Sequence, residues 1–225
     1  MPDYKTMFTG IVEKTGKIQN IKKDGGKIYF TLEVKYFLSD IKIGGSISCD
    51  GVCLTVVKKT KDSFTVELMP ETLRLTKFAD SQVGDLINLE KSLKIGERID
   101  GHFVMGHVDG VGIVSKIERE GEYINLIIKV PKKIIKYLAY KGSVSINGVS
   151  LTIAGNGPAP FNCGTEHGIK SKEIKKCGAS KDWLKVCLIT HTLEITDLSV
   201  LKTGDKVNIE VDMIARYLER LLSSK

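Results

Sequence analysis

Residues 45–56 read GSISCDGVCLTV, and residues 142–153 read GSVSINGVSLTI. The same glycine, polar and apolar positions return at an offset of 97 residues. Three further pairs of stretches recur in the same order: 10–13 with 106–109, 68–76 with 188–196, and 84–85 with 204–205. An ordered set of repeats indicates two copies of one structural unit. The sequence therefore predicts two related domains, each about 95 residues long.

The repeat offset changes along the chain, which locates an insertion in the second copy. It rises from 97 at residues 45–56 to 120 at residues 84–85, so the second copy gains 23 residues between residues 153 and 188. That stretch is rich in Gly, Pro, Ser and Lys, as is typical of a surface loop between two strands. The division that we expect is a first domain at 1–100, a second at 101–211 with an inserted loop around 155–185, and a C-terminal helix at 212–225.

Apolar residues alternate with polar ones in several short segments, among them 30–36, 64–68 and 207–211. A period of two predicts β-strands, and many short strands favour a sandwich or a closed barrel in each half. Helical spacing occurs twice: after Pro131, and near the C-terminus, where Asp212 is a candidate N-cap. The apolar face of the terminal helix has no later partner in the sequence. We expect it to pack on a barrel or on another subunit.

Composition excludes several classes of protein. The 225 residues carry a net charge of +7 with 27% charged residues, which is ordinary for a globular chain. Neither a secretory signal nor an apolar run of membrane-spanning length is recognisable. Five cysteines, an odd number, favour free thiols in a reducing compartment. With 7% aromatic residues and no basic, aromatic strand face, the chain is not expected to bind nucleic acid.

Known phosphate and nucleophile motifs are missing from the sequence. It has neither a Walker-type loop, nor G-x-G-x-x-G between a strand and a helix, nor a G-x-S-x-G elbow. Cys163, His167 and Cys177 lie within the insertion, but their spacing matches no common zinc finger. We therefore expect no metal site.

The repeated stretches contain candidate pocket residues. A strand through DGVCLT places Cys53 and Thr55 on one face, and the second copy does the same with Ser150 and Thr152. These side chains could line a small-molecule pocket, or they could form an ordinary threonine ladder beside a buried, inert cysteine.

Residues 101–109, GHFVMGHVD, contain two of the four histidines among glycines. Imidazole is the usual proton-transfer group near neutral pH. On a strand, His102 and His107 would point to opposite faces, which argues against a shared metal site. The alternative is a structural histidine in a glycine-rich turn.

Six stretches together resemble the riboflavin synthase family: MFTGIVEKTGKI (7–18), DGVCLTV (50–56), MPETLRLT (69–76), GHFVMGHVDGVG (101–112), NGVSLTI (147–153) and IARYLERLL (214–222). The resemblance covers nearly all of residues 7–222 except the insertion. It implies an all-β fold of two homologous six-stranded antiparallel Greek-key barrels plus a C-terminal α-helix that assembles a homotrimer. The implied reaction is a dismutation of two 6,7-dimethyl-8-ribityllumazine molecules, without cofactor or metal. It yields riboflavin and 5-amino-6-(D-ribitylamino)uracil, as the last step of riboflavin biosynthesis.

The resemblance also implies where two substrate molecules would bind. The N-terminal barrel of one subunit would face the C-terminal barrel of its neighbour, and each would hold one lumazine. The implied N-terminal pocket contains Gly10, Ile11, Val12, Ser46, Cys53, Leu54, Thr55, Glu67, Leu68, Met69, Pro70, Glu71 and Thr72. The implied C-terminal pocket contains Gly106, His107, Val108, Lys141, Ser150, Leu151, Thr152, Ile189, Thr190, His191, Thr192, Leu193 and Glu194.

Five of these side chains and one neighbour, His102, receive roles by resemblance. His107 is the expected proton-transfer group, with His102 as its neighbour or structural aid. Ser46 and Cys53 would add to the acceptor ring or deliver water to it, while Ser150 and Thr152 would orient the donor. Much of the acceleration would come from holding two rings face to face.

One alternative shares the fold but not the chemistry. Non-catalytic antenna proteins keep both barrels and bind lumazine or flavin in one pocket, and they lack the reactive side chains that this sequence retains. The remaining expectations are a cytoplasmic location and an association with lumazine synthase, with no membrane partner.

Overall fold

A computed structural model describes residues 6–157 and 182–223. The first six strands are β1 (Lys14–Asp24), β2 (Lys27–Glu33), β3 (Ser46–Cys49), β4 (Val52–Lys59), β5 (Ser63–Leu68) and β6 (Leu86–Lys91). The next six are β7 (Gly110–Glu120), β8 (Tyr123–Lys129), β9 (Ser143–Ile146), β10 (Val149–Asn156), β11 (Trp183–Leu188) and β12 (Lys206–Val211).

Each set of six strands closes into an antiparallel barrel. Around the first barrel the order is β1-β2-β5-β4-β3-β6, and the second repeats it as β7-β8-β11-β10-β9-β12. In each, three strands follow one another as neighbours, and the sixth returns beside the first of those three, which is the Greek-key arrangement. The predicted fold class is therefore confirmed.

The apolar residues of the alternating segments fill the barrel cores. Phe30, Leu32 and Val34 lie in the first core, and Val207, Ile209 and Val211 lie in the second. The polar residues between them face outward, as the two-residue period of a strand requires.

The inserted loop, expected around 155–185, is bounded by the paired strands β10 and β11. Strand β10 continues to Asn156 and β11 already begins at Trp183. Residues 158–181, with Cys163, His167 and Cys177, lie outside the described residues.

Two tight turns meet where the barrels touch. Asp50 and Gly51 have φ values of 45° and 74°, and Asn147 and Gly148 have 46° and 79°. Positive φ at both central residues fits type I′ hairpin turns, for which Asp-Gly and Asn-Gly are favoured. A Cβ added to Gly51 would lie 2.7 Å from the backbone nitrogen of Gly148, so the two turns pack backbone against backbone.

A buried polar network joins the barrels around these turns. The Asn88 side chain donates to the Asn147 carbonyl (2.9 Å) and to Asp197 Oδ1 (2.7 Å). In the reciprocal position, the Asn208 side chain donates to the Asp50 carbonyl at 2.9 Å. Satisfied networks of this kind fix one packing arrangement, because an unpaired buried polar group is costly.

Lys77 supplies the positive charge of this network. Its Nζ lies 2.9 Å from Asp50 and 3.1 Å from Asp197. Burial raises the pKa of Asp50 to about 7. The negative charge of Asp197 adds to this shift, and the positive charge of Lys77 opposes it. Burial lowers the pKa of Lys77, but the two carboxylates raise it by more, so the lysine stays charged.

Short helices follow the fifth strand of each barrel. They are α1 (Pro70–Leu75) and α2 (Thr190–Ile195), and each leads into a 3₁₀ turn, Lys77–Asp80 or Asp197–Val200. Neither helix was expected from the sequence. The segment after Pro131 is helical only as a 3₁₀ turn at Ile135–Tyr137.

The C-terminal helix α3 (Met213–Leu222) forms where predicted, and the Asp212 side chain caps it by accepting the Ile214 N–H at 2.9 Å. Its apolar side chains are largely exposed: Ile214 54%, Tyr217 59%, Leu218 53%, Leu221 70% and Leu222 71%. Within residues 6–157 and 182–223, no helix has the length and apolar character needed to cross a membrane.

Candidate functional site

Two segments outside the strands run between the barrels. We call residues 6–13 the first crossing segment and residues 102–109 the second. They meet in an antiparallel bridge, in which the Phe8 N–H donates to the Val104 carbonyl at 2.8 Å and the Val104 N–H donates back at 3.1 Å. Phe8 and Val104 are fully buried. The crossing therefore lies in the interior of the junction.

Beyond the crossing, each segment contacts the barrel of the other half. The Gly10 carbonyl accepts the Ser150 N–H at 2.8 Å, and the Gly106 carbonyl accepts the Cys53 N–H at 3.0 Å. Val12 belongs to the core of the second barrel. Val108 packs against the core of the first.

Glycine is required at both contact points. Gly10 and Gly106 have φ values of 75° and 76°, a region that favours glycine. An added Cβ would lie 2.6 Å from the Ser150 Cβ or 2.5 Å from the Cys53 Cβ. Only a residue without a side chain lets the segment backbone approach so closely.

The crossing corrects the predicted pockets. Residues 10–12 were expected beside Cys53, and residues 106–108 beside Ser150; the structure shows the reverse assignment. The expected opening strand is also wrong, because β1 begins only at Lys14 and β7 at Gly110. His102 and His107 also lie outside strands, so strand alternation does not determine which way their side chains point.

The first polar cluster comprises Thr6, Ser46, Cys53 and Thr55. Ser46 pairs with Thr55 across β3 and β4, and both face away from the barrel core, as does Cys53. The Ser46 hydroxyl lies 3.2 Å from that of Thr6. Burial raises the pKa of the Cys53 thiol, while a hydrogen bond from Ser46 partly offsets this. Cys53 is therefore a protonated thiol at neutral pH, able to donate a hydrogen bond.

The second polar cluster comprises His102, Ser150 and Thr152. His102 Nδ1 lies 2.7 Å from the Ser150 hydroxyl oxygen. Burial lowers the pKa of His102, although Asp212 opposes the shift, so the ring is neutral near pH 7 and can accept a proton. Its Nε2 is buried without a hydrogen-bond partner in the described part of the chain. A neutral imidazole beside a hydroxyl is suited to proton exchange.

His107 has an exposed side chain on an anchored backbone. Its N–H donates to Glu210 at 3.1 Å, and its carbonyl accepts from Arg216 of α3 at 3.5 Å. His102, expected as a neighbour or structural aid of His107, pairs with the Ser150 hydroxyl.

The other predicted residues fall into two groups. Leu54, Leu68 and Leu151 are buried in the barrel cores, so only their backbone could reach a ligand. Those on the short helices and their N-caps lie at the surface or half-buried: Met69, Pro70, Glu71, Thr72, Ile189, Thr190, His191, Thr192, Leu193 and Glu194.

Two predicted carboxylates are committed to neighbouring cations. Glu67 pairs with Lys27 at 3.0 Å, and Glu71 with Arg74 at 2.5 Å on the face of α1. Ile11 and Lys141 are exposed, as are Thr55 and Thr152.

Two buried glutamates, Glu90 and Glu210, are not among the predicted site residues. Glu90 accepts N–H groups from the first crossing segment, and Glu210 accepts them from the second. A signal was available, because Asn-x-Glu occurs in both copies at residues 88–90 and 208–210 with the offset of 120. Among residues 6–157 and 182–223, no group of three or more His, Cys, Asp or Glu is arranged to hold a metal ion.

Comparison with known proteins gives relatives over nearly the whole chain. The lumazine binding domain family matches twice, at residues 9–92 and 105–212. Riboflavin synthase of Photobacterium phosphoreum is 40% identical over 96% of this chain and 89% of its own. Riboflavin synthase of Bacillus subtilis is 38% identical over 96% of this chain and 90% of its own. Riboflavin synthase of Brucella abortus is 38% identical over 96% of this chain and 98% of its own.

A solved structure shares the fold. The crystal structure of LumP complexed with riboflavin aligns with a TM-score of 0.75 and covers 91% of this chain and 98% of LumP, at 24% identity. The identities to the riboflavin synthases are higher and extend across both barrels. On those full-length matches, this chain belongs to the riboflavin synthase family.

Proposed function

We propose that the chain is a riboflavin synthase that dismutates two 6,7-dimethyl-8-ribityllumazine molecules. One molecule gives a four-carbon unit to the other, which yields riboflavin and 5-amino-6-(D-ribitylamino)uracil. The observation that carries the proposal is the pair of equivalent polar clusters on two equivalent barrels. A reaction between two copies of one substrate needs two related pockets. Both partners come from the substrate, and we propose that no cofactor or metal takes part.

The crossing supports a revised composition for each pocket. The first pocket combines the first polar cluster with residues 106–108 and α1. The second combines the second polar cluster with residues 10–12, Lys141 and α2. Each proposed pocket thus contains backbone from both halves of the sequence.

The roles of the side chains follow from their environments. His107, exposed on an anchored backbone, would transfer the proton of the lumazine C7 methyl group. Cys53 and Ser46 would add to the acceptor ring or direct water to it, with the thiol in its protonated form before reaction. Ser150 and Thr152 would orient the donor, and the neutral His102 would hold the Ser150 hydroxyl.

We also propose a homotrimer, in which a first pocket faces the second pocket of a neighbouring subunit. The support is helix α3, in which five large apolar side chains are more than half exposed. Contiguous exposed apolar surface is typical of an interface. Sedimentation equilibrium should give three times the mass of the chain, and a monomer at micromolar concentration would contradict this assembly.

The cytoplasm is the proposed location. Cys49, Cys53 and Cys187 are free thiols, as expected in a reducing compartment. Association with lumazine synthase is a prediction of the family resemblance, and co-sedimentation of the two purified proteins tests it.

The decisive experiment uses the substrate alone. Purified protein is incubated anaerobically with 6,7-dimethyl-8-ribityllumazine, and riboflavin is measured by absorbance and chromatography. We expect one riboflavin for every two lumazines consumed. Tight binding without turnover would contradict the enzymatic activity and favour a non-catalytic antenna protein. LumP, which shares the fold of this chain, has a crystal structure in complex with this lumazine.

Lys141 offers a test of the second pocket. Its φ is 64°, whereas the first copy has Gly44 at the equivalent position with φ 86°. The Lys141 N–H donates to the Ile153 carbonyl, as the Gly44 N–H does to the Val56 carbonyl. A non-glycine residue in this region costs about 1–2 kcal/mol, and such strain is often retained at functional sites. Lys141→Gly should raise the free energy of unfolding by up to about 1 kcal/mol, because the flexibility of glycine offsets part of the relief.

The same variant should bind the lumazine about tenfold more weakly, because one charged hydrogen bond is lost. Fluorescence titration and urea unfolding measure the two effects. Lys141→Ala is the matched control, since it loses the ammonium group but keeps the backbone strain. Unchanged affinity in both variants would remove Lys141 from the pocket.

A further inference from the structure

Two buried carboxylates occupy equivalent places beneath the crossing segments. Glu90 on β6 is 5% exposed, and Glu210 on β12 is 2% exposed. On both strands the neighbouring apolar residues fill the barrel core, so the glutamates point outward from their own barrel. They are buried because a crossing segment covers them.

Glu210 holds the backbone of the second crossing segment at three successive residues. Its Oε1 accepts the Met105 N–H at 2.8 Å, and its Oε2 accepts the Gly106 and His107 N–H groups at 2.9 and 3.1 Å. The carbonyl of the middle residue, Gly106, accepts the Cys53 N–H. A side chain of the second barrel therefore fixes backbone that lies against the first barrel.

Glu90 makes the equivalent contacts with one difference. Its Oε1 accepts the Thr9 N–H at 2.6 Å and the Thr9 hydroxyl at 2.8 Å, and its Oε2 accepts the Gly10 N–H at 3.0 Å. The Ile11 N–H, which corresponds to that of His107, donates to the Thr9 hydroxyl instead, at 3.3 Å. Glu210 thus accepts the N–H of His107 directly, whereas Glu90 is linked to the N–H of Ile11 through the Thr9 hydroxyl.

We propose that Glu210 is a positioning residue that sets His107 in the first pocket from the second barrel, and that Glu90 does the same for residues 9–11 in the second pocket. The inference about His107 rests on the proposed function. Proton transfer requires the base within hydrogen-bond reach of the proton that it takes. A carboxylate with three N–H contacts limits the backbone freedom of that base.

Glu210, on the second barrel, also acts electrostatically on Cys53 of the first barrel. Apart from its own burial, the Cys53 thiol has its pKa raised by the negative charge of Glu210. Burial raises the pKa of Glu210 itself to about 7, against the N–H groups of residues 105–107 and Arg216, which lower it. Cys53 is therefore a reporter of Glu210, although the two belong to different barrels.

The test compares Glu210→Gln with its repeat-related control, Glu90→Gln. A glutamine has the same shape but only one acceptor oxygen, and its NH₂ would face an N–H donor. The alkylation rate of each cysteine by iodoacetamide is measured by peptide mass spectrometry. The exposed Cys187 serves as the internal standard, and circular dichroism checks the fold.

Glu210→Gln should increase the Cys53 alkylation rate several-fold, because the thiol loses both a covering backbone and a neighbouring negative charge. Glu90→Gln should leave that rate unchanged. With the lumazine, Glu210→Gln should lower kcat at least tenfold with a smaller change in KM. Equal Cys53 rates in both variants and the unmodified protein, or equal acceleration in both, would overturn the proposal.

A shorter carboxylate keeps the test open if the glutamine variant does not fold. Glu210→Asp retains the charge but cannot reach all three N–H groups, and it should accelerate Cys53 alkylation to a smaller degree. Wild-type alkylation in a folded Glu210→Asp protein would likewise count against positioning. Because alkylation needs no turnover, this result stands apart from the test of the enzymatic activity.

Discussion

Replacing Lys77 with methionine should lower the free energy of unfolding by about 3–5 kcal/mol, because it leaves two carboxylates buried without their cation. Lys77 lies within 3.1 Å of both Asp50 and Asp197. The matched control is Lys206→Met, which removes an ion pair with Asp80 between side chains 51% and 61% exposed. That change should cost at most about 1 kcal/mol. Urea unfolding at pH 8 measures both, and equal losses would contradict a central role for the buried ion.

The loss in the free energy of unfolding caused by Lys77→Met should become smaller as the pH falls. Burial holds the folded-state pKa of Asp50 at about 7, above its ordinary value of 3.8. A group of this kind stabilises the fold below its unfolded pKa and loses that contribution as the pH rises through the folded pKa. Without Lys77 the folded-state pKa moves higher still, so the variant should recover most at pH 5. A deficit that grows on acidification would show that another interaction is responsible.

The barrels could be predicted because their signals are local and repeated. Alternation at residues 30–36 and 207–211 predicts strands without knowledge of their partners, and the ordered repeat predicts two copies. The offset of 97 also equates Asp50 with Asn147, each before a glycine, although their meeting at the junction does not follow from it.

The crossing could not be predicted from the same repeat. Residues 10–13 and 106–109 match each other whether each segment stays with its own barrel or passes to the other. The choice depends on contacts between halves, such as Gly106 with Cys53 and Gly10 with Ser150, which have no periodic signal. The short helix α1 was missed for a related reason, since six residues are too few to show helical spacing.

Buried polar residues on the outer face of a strand also mislead sequence analysis. In β6 all of residues 87–90 are buried, although the alternation of Ile87, Asn88, Leu89 and Glu90 is that of a strand with one solvent face. Asn88 faces the other barrel, and Glu90 faces a crossing segment. The pattern shows which face is polar but not what covers it. The recurrence of Asn-x-Glu in both copies is the better sign that these polar residues have a role in the fold.

Replacing His107 with alanine should lower kcat about 10²–10⁴-fold, the usual contribution of a positioned acid or base. The side chain is exposed, so stability should change by no more than about 0.5 kcal/mol. The control is Ile11→Ala, because Ile11 occupies the equivalent place in the first crossing segment and carries no proton-transfer group. Its effect should fall mainly on KM.

Steady-state turnover and the exchange of C7 methyl protons of the lumazine with deuterated water separate the two roles. If His107 takes the proton, His107→Ala slows exchange as well as turnover, while Ile11→Ala leaves exchange at saturating ligand near that of the unmodified protein. Near-normal turnover in folded His107→Ala would refute the assignment. Because His102 is neutral and bonded to Ser150, its alanine variant would then be the next to examine for lost exchange, with the base in the second pocket rather than the first.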